Sequence, residues 1–196
     1  MIQALNINYL LANSTSSSQK SEFELLISDC IAQKRSAQRK LYDIYAPAAY
    51  GIVKRYMYDN DQAAQEILND AFFKIFTKLD QYTFQGAFEG WIRKIVVNTV
   101  ADYLRKNLKK EQHKQELKND EYVDDSTPID NVSHKELLKI VQTLPEVQLA
   151  VFNLYVFEQF SHKEIASALS LSENNSRWYL NDARKRLKEK INVYMK

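Results

Sequence analysis

The stretch that follows Ser172 carries the most pointed chemistry in the chain: Asn174, Asn175, Arg177, Trp178, Asn181, Arg184 and Lys185. Asparagine pairs bidentately with adenine and arginine with guanine, and an aromatic ring meets a thymine methyl. Leu180, Ala183, Leu187 and Ile191 fall at helical spacing and turn inward, so the polar groups share the outward side of one helix. Base-reading groups belong on the first turns of such a helix, which enter the major groove deepest. Arg184, Lys185, Arg186, Lys188 and Lys190 lie further along, where phosphates are met.

A second group of residues suits DNA that has left the duplex. The loop from Asp80 to Gly86 holds Tyr82 and Phe84, and Phe88 and Trp91 follow. The next helix presents Lys94, Asn98, Ala101 and Arg105 on one face, with Arg93 beside them. Stacking of a base on an aromatic ring contributes ~1–3 kcal/mol, similar to the loss of one base-pair step. Tyr82, Phe84 and Asn98 are therefore read as base-capturing, with Arg93, Lys94 and Arg105 supporting them. Trp91 and Phe88 are read as core, because Trp91 heads an apolar stripe. A third group, Gln65, Glu66, Asn69, Asp70 and Phe73, lies opposite a buried stripe. By its spacing alone this face reads as an ordinary acidic helix surface.

Helices must position all three groups. Three glycines and three prolines in 196 residues are too few for the turns of a β-sandwich or barrel, so the chain is expected to be all-α. Ile67, Leu68, Ala71, Phe72, Ile75, Phe76 and Leu79 form one stripe, on a helix that Asp61 can cap. Trp91, Ile92, Ile95, Val96, Thr99, Val100, Tyr103 and Leu104 form another. Leu137 to Val141 begin a further set of helices, and Pro145 suits the first position of the next one. Ser161-His162-Lys163-Glu164 spells a capping box. A short turn and a capping Ser172 then lead into the basic helix, which is the helix-turn-helix arrangement.

Charge is segregated along the chain. Residues 91–110 hold six bases and one acid, residues 111–130 seven acids and two bases, and residues 177–196 seven bases and two acids. Two anion-binding surfaces joined by an acidic tether account for this pattern better than the net charge of +2. Enzyme chemistry finds little support. No phosphate-cradling glycine loop, G-x-S-x-G or H-E-x-x-H sequence is present, and His113, His134 and His162 lack metal-ligand spacing. Cys30 is the single cysteine, which excludes an intrachain disulfide; its setting reads as a helix face with an inert buried thiol. Neither a metal nor a cofactor is expected. No apolar run reaches the ~18–20 residues of a membrane span, and no basic secretion signal opens the chain, so a cytoplasmic protein is expected.

Three stretches resemble one bacterial family, the sigma-70 class of RNA polymerase sigma factors, in its extracytoplasmic-function (ECF) group. Asp61–Phe76 resembles the helix that binds core polymerase, Phe84–Lys106 the loop and helix that melt and read the -10 promoter element, and Phe160–Leu187 the -35-reading helix-turn-helix. The resemblance implies a leader (1–21), a region 2-like helical bundle (22–107), an acidic linker (108–134) and a region 4-like helix-turn-helix domain (135–194). It further implies that Gln65, Glu66, Asn69, Asp70 and Phe73 dock on the β′ coiled coil of core RNA polymerase, the acids meeting basic residues and Phe73 the desolvated anchor. It also implies binding to the β flap and to promoter DNA, and a membrane-linked anti-sigma factor that holds the protein inactive. Catalysis would belong to the polymerase, with this chain as its specificity subunit and not itself an enzyme. The chain departs from the family where Ser170 stands at a corner that often has glycine, where Asn174-Asn175 replace Gly-Thr, and where Trp178 and Asp182 occupy positions often small or basic. A stand-alone helix-turn-helix regulator accounts for residues 135–194 alone. A helical adaptor that binds only proteins predicts no salt-dependent DNA affinity.

Overall fold

The computed structural model describes residues 17–111 and 134–194. His113 and most of the expected linker and leader lie outside these residues. The described chain is helical: α1 (Ser17–Ile31), α2 (Arg35–Lys54), α3 (Asp61–Thr77), a 3-10 turn (Leu79–Gln81), α4 (Phe88–Glu111), α5 (His134–Val141), α6 (Glu146–Val156), α7 (His162–Leu169) and α8 (Glu173–Tyr194). Among the described residues there is no strand. The all-α expectation therefore holds, for the reason that the turn formers are too scarce for sheets.

The chain divides into two compact units. Unit 1 comprises the residues up to Val53 together with Gln62–Val96, and unit 2 comprises Lys54–Asp61 together with the chain from Val97 onward. In unit 1, α2 buries Ala37, Leu41, Tyr45, Ala49 and Val53, spaced by four so that they line one side. α3 buries Ala63, Ala64, Ile67, Leu68, Ala71, Phe72 and Ile75, the stripe read from the sequence; Leu79 is buried as well but belongs to the 3-10 turn. Asp61 is the first helical residue of α3, and its carboxylate takes a 2.6 Å ion pair from Lys54.

Unit 2 gathers a core of Ile140, Leu144, Leu149, Ala183 and Leu187, with Val141, Phe152 and Ile191 against it. Segment 54–61 belongs here because Arg55 ties it to the end of α6. Its guanidinium pairs with Glu158 at 3.0 Å and lies 5.3 Å from the Phe157 ring centroid, while Asn153 donates to its carbonyl at 3.0 Å. Pro145 is the residue before α6, its N-cap, and not the first helical residue. α4 runs to Glu111, past the end expected for the first domain at 107, and α1 begins inside the expected leader.

Candidate polymerase and DNA surfaces

The outward face of α3 carries Gln65, Glu66, Asn69, Asp70 and Phe73, all exposed. Phe73 is 71% exposed, an unusual position for a phenylalanine, on a helix whose other side is closed by buried aliphatics. Gln65 donates to Asn69 at 3.2 Å, one helical turn along. This face combines negative charge with a single projecting ring.

The aromatic corner of unit 1 is built around Tyr82. Its ring centroid lies 5.0 Å from Phe84, 4.8 Å from Phe88 and 5.6 Å from Trp91, and its hydroxyl donates to the Gly86 carbonyl at 2.9 Å. This corrects one expectation. Tyr82 is buried and braces the loop, so it does not offer its ring to a base. Burial, with Glu89 adding to it, holds its phenol proton more tightly than usual. Phe88 is buried, as expected, and stacks on Trp91 with 16° between planes.

Phe84 is the ring that emerges. It is 44% exposed and adopts φ 58°, a left-handed conformation that costs a bulky residue energy. Gly86, at φ 86°, makes the second left-handed step at no such cost. Phe23 of α1 supports Phe84 edge-on at 6.5 Å and Phe88 at 5.2 Å. Sequence reasoning missed Phe23, although it heads an apolar stripe with Leu26, Ile27 and Cys30 at helical spacing.

Of the α4 residues, Lys94 is exposed and Arg93 partly buried in unit 1. In unit 2, Asn98 is exposed, but two members of the expected polar face are turned to other work. Ala101 is buried, a correction: the apolar stripe is wider than its spacing suggested and takes in Val97 too. Arg105 pairs with Asp102 at 2.6 Å and donates to the Ala168 carbonyl at 3.4 Å, so in this structure it serves as a tie within unit 2.

The helix-turn-helix is set by polar caps. Ser161 accepts from the Glu164 amide, and Glu164 accepts from the Ser161 amide at 2.8 Å, completing the capping box. α7 stops at Ser170, which takes the left-handed conformation (φ 57°) that glycine usually supplies. Ser172 then accepts from the Asn175 amide at 3.0 Å, capping α8 as its position promised.

On α8, Asn174, Arg177, Arg184 and Lys185 are exposed, and Asn175, Trp178 and Asn181 half-buried. Arg177 pairs with Glu173 at 3.5 Å. Trp178 lies edge-on to the buried Tyr179, 5.2 Å between centroids. Asp182 is no surface acid: it accepts from the buried Gln148 at 2.8 Å and from Arg186 at 2.7 Å, fastening α8 to α6. The pairing is invisible in sequence because its partner lies 34 residues away.

These parts describe an all-helical protein with a helix-turn-helix in one unit and, in the other, an aromatic corner and a helix that presents an acidic face with one exposed ring. The pattern of sigma-70 region 2 matches residues 41–110, and that of sigma-70 region 4 matches residues 134–187. The chain belongs to the sigma-70 family and, with the relatives that follow, to its ECF group. It is 24% identical over 173 residues to the ECF RNA polymerase sigma-E factor of Haemophilus influenzae, covering 82% of this chain and 90% of that one. Identity to the ECF RNA polymerase sigma factor SigM of Bacillus subtilis is 24%, over 78% of this chain and 94% of that one. Among solved structures, the sigma factor RpoE in complex with the anti-sigma factor NepR from Bartonella quintana matches with a TM-score of 0.46 at 17% identity, covering 79% of this chain and 96% of that chain.

The chain is therefore a sigma factor, whose partners are core RNA polymerase and promoter DNA. A stand-alone regulator leaves the match over residues 41–110 without a role. Among the described residues no helix is long and apolar enough to cross a membrane, and no group of three or more His, Cys, Asp or Glu side chains is placed to hold a metal.

Proposed function

We propose a division of labour among named residues. Residues 22–107 bind core polymerase through Gln65, Glu66, Asn69, Asp70 and Phe73, and hold the opened -10 strand on Phe84 with Arg93, Lys94 and Asn98. Residues 135–194 read the -35 element through Asn174, Asn175, Arg177, Trp178 and Asn181, with Arg184 and Lys185 on the phosphates and Ser172 fixing the first turn. The linker, 108–134, limits how far apart the two elements lie. The chain performs no catalysis itself and acts in the cytoplasm. An anti-sigma factor, proposed on family grounds, is a further partner.

The observation that carries this reading is the exposure of Phe73. A projecting ring amid acids on a helix whose opposite side is buried suits a surface that is covered in a complex. Truncating a central aromatic anchor costs ~2 kcal/mol or more, about 30-fold in affinity. Phe73→Ala is expected to weaken binding of core polymerase by that factor in a fluorescence titration and to leave duplex DNA binding intact. Unchanged core affinity would move the docking surface elsewhere.

A further inference from the structure

Ser176 is 0% exposed, on the side of α8 that packs inward. A buried hydroxyl requires a hydrogen-bond partner, and it finds Nδ1 of His162 at 3.0 Å. His162 opens α7, and its ring lies against that of Tyr155 on α6, with centroids 4.9 Å apart and 27° between planes. The Arg184 guanidinium, two turns beyond Ser176, approaches the same Tyr155 ring to 5.7 Å. One imidazole on α7 thus touches both α6 and α8.

The charged groups facing this imidazole come from α8: Arg177 and Arg184, opposed by Glu173. From α6 it meets the Tyr155 phenol. On its own helix, Glu164 is occupied by the capping box. Burial first, then the two arginines, lowers the affinity of the ring for a proton below that of an ordinary histidine, with Glu173 acting in the opposite sense. The contact with Ser176 survives either state. Neutral Nδ1 accepts from the hydroxyl, and protonated Nδ1 donates to it.

We propose that His162 is a positioning residue for duplex DNA whose charge is coupled to binding: duplex laid along α8, with its bases at Arg177 and its phosphates at Arg184, brings negative charge up to the ring held between Ser176 and Tyr155, and the complex takes up a proton from solvent. This rests on the reading of α8 as the DNA-facing helix. The sign follows from linkage. The ring holds its proton more tightly in the complex than in the free protein, so affinity rises as pH falls between the two midpoints and is flat outside them.

The test is fluorescence anisotropy of the full chain with a fluorescein-labelled 30-base-pair duplex of random sequence, at fixed ionic strength between pH 5.5 and 8. A midpoint displacement of one unit gives up to about tenfold in affinity. The expected result is a gain of roughly threefold or more from pH 7.5 to 6.0, with His162→Gln, which keeps a hydrogen-bonding group but cannot ionise, reduced to less than about twofold. The same slope in His162→Gln would overturn the proposal, as would a flat wild-type profile. Should that variant not fold, the C2–H NMR titration of wild-type His162 decides: a midpoint higher with duplex than without supports coupling, and an unmoved midpoint refutes it. Absence of duplex binding at every pH would instead bring down the DNA-facing reading of α8, and this inference with it.

Discussion

The aromatic corner of unit 1 and the turn of unit 2 each hold a short irregular segment in a fixed shape, but with different materials. The corner relies on rings. Tyr82 is packed against Phe84, Phe88 and Trp91 and makes one hydrogen bond, to Gly86. The turn relies on serines: Ser161 in the capping box, Ser170 in the left-handed step, Ser172 at the start of α8. The contrast matches what each segment is proposed to meet. An unstacked base offers a π-face, for which a braced ring is the natural counterpart. A duplex offers base edges and phosphates, which polar groups at a helix start can reach only if the helix is held at one angle.

Substitutions can break the comparison or sharpen it. The largest effect is expected from Leu154→Ala in unit 2, where Leu154 is wholly buried. Such truncations cost ~2–5 kcal/mol. Denaturant unfolding should register this loss, and duplex binding should fall with it, while core polymerase binding through α3 persists. Loss of both activities together would mean that the two units do not work separately.

Ser161→Ala removes the capping box and should cost ~1 kcal/mol, seen as a lower midpoint in the unfolding of unit 2. Tyr82→Phe deletes only the hydroxyl that holds Gly86 and should cost about 0.5–1.5 kcal/mol. Its sharper readout is a more mobile Phe84, measured by ring NMR relaxation, and an unaffected Phe84 would mean that ring packing alone shapes the corner. The smallest change should be a gain: Ser170→Gly relieves the left-handed serine and is expected to raise stability by roughly 0.5 kcal/mol. A loss there would mean that the serine side chain makes a contact outweighing its strain.

Much of this architecture was legible in the sequence wherever a period or a cap expressed it. The stripe on α3, the capping box and the Ser172 cap follow from local spacing alone. Tyr82 was misread because an aromatic in a loop looks the same whether it faces out or braces its neighbours, and only the ring distances decide. Ala101 was placed outward because the stripe on α4 was drawn too narrow: Val97 and Ala101, four residues apart, are buried too. Gln148 with Asp182, and His162 with Ser176, escaped notice because such pairs are made by tertiary folding between helices. The capping serines Ser161 and Ser172 were visible, whereas the polar pairs between helices were not.

The proposal that separates the two regions is that Phe84 captures DNA opened by the polymerase while α8 holds the duplex. The most direct measurement is permanganate reactivity of -10 thymines in complexes of core polymerase with this chain, on a promoter located by mapping transcription starts after overproduction. Phe84→Ala should join core polymerase and bind promoter duplex like the wild type, yet leave those thymines unreactive. Thymines that open as fully with Phe84→Ala as with the wild-type chain would contradict the claim.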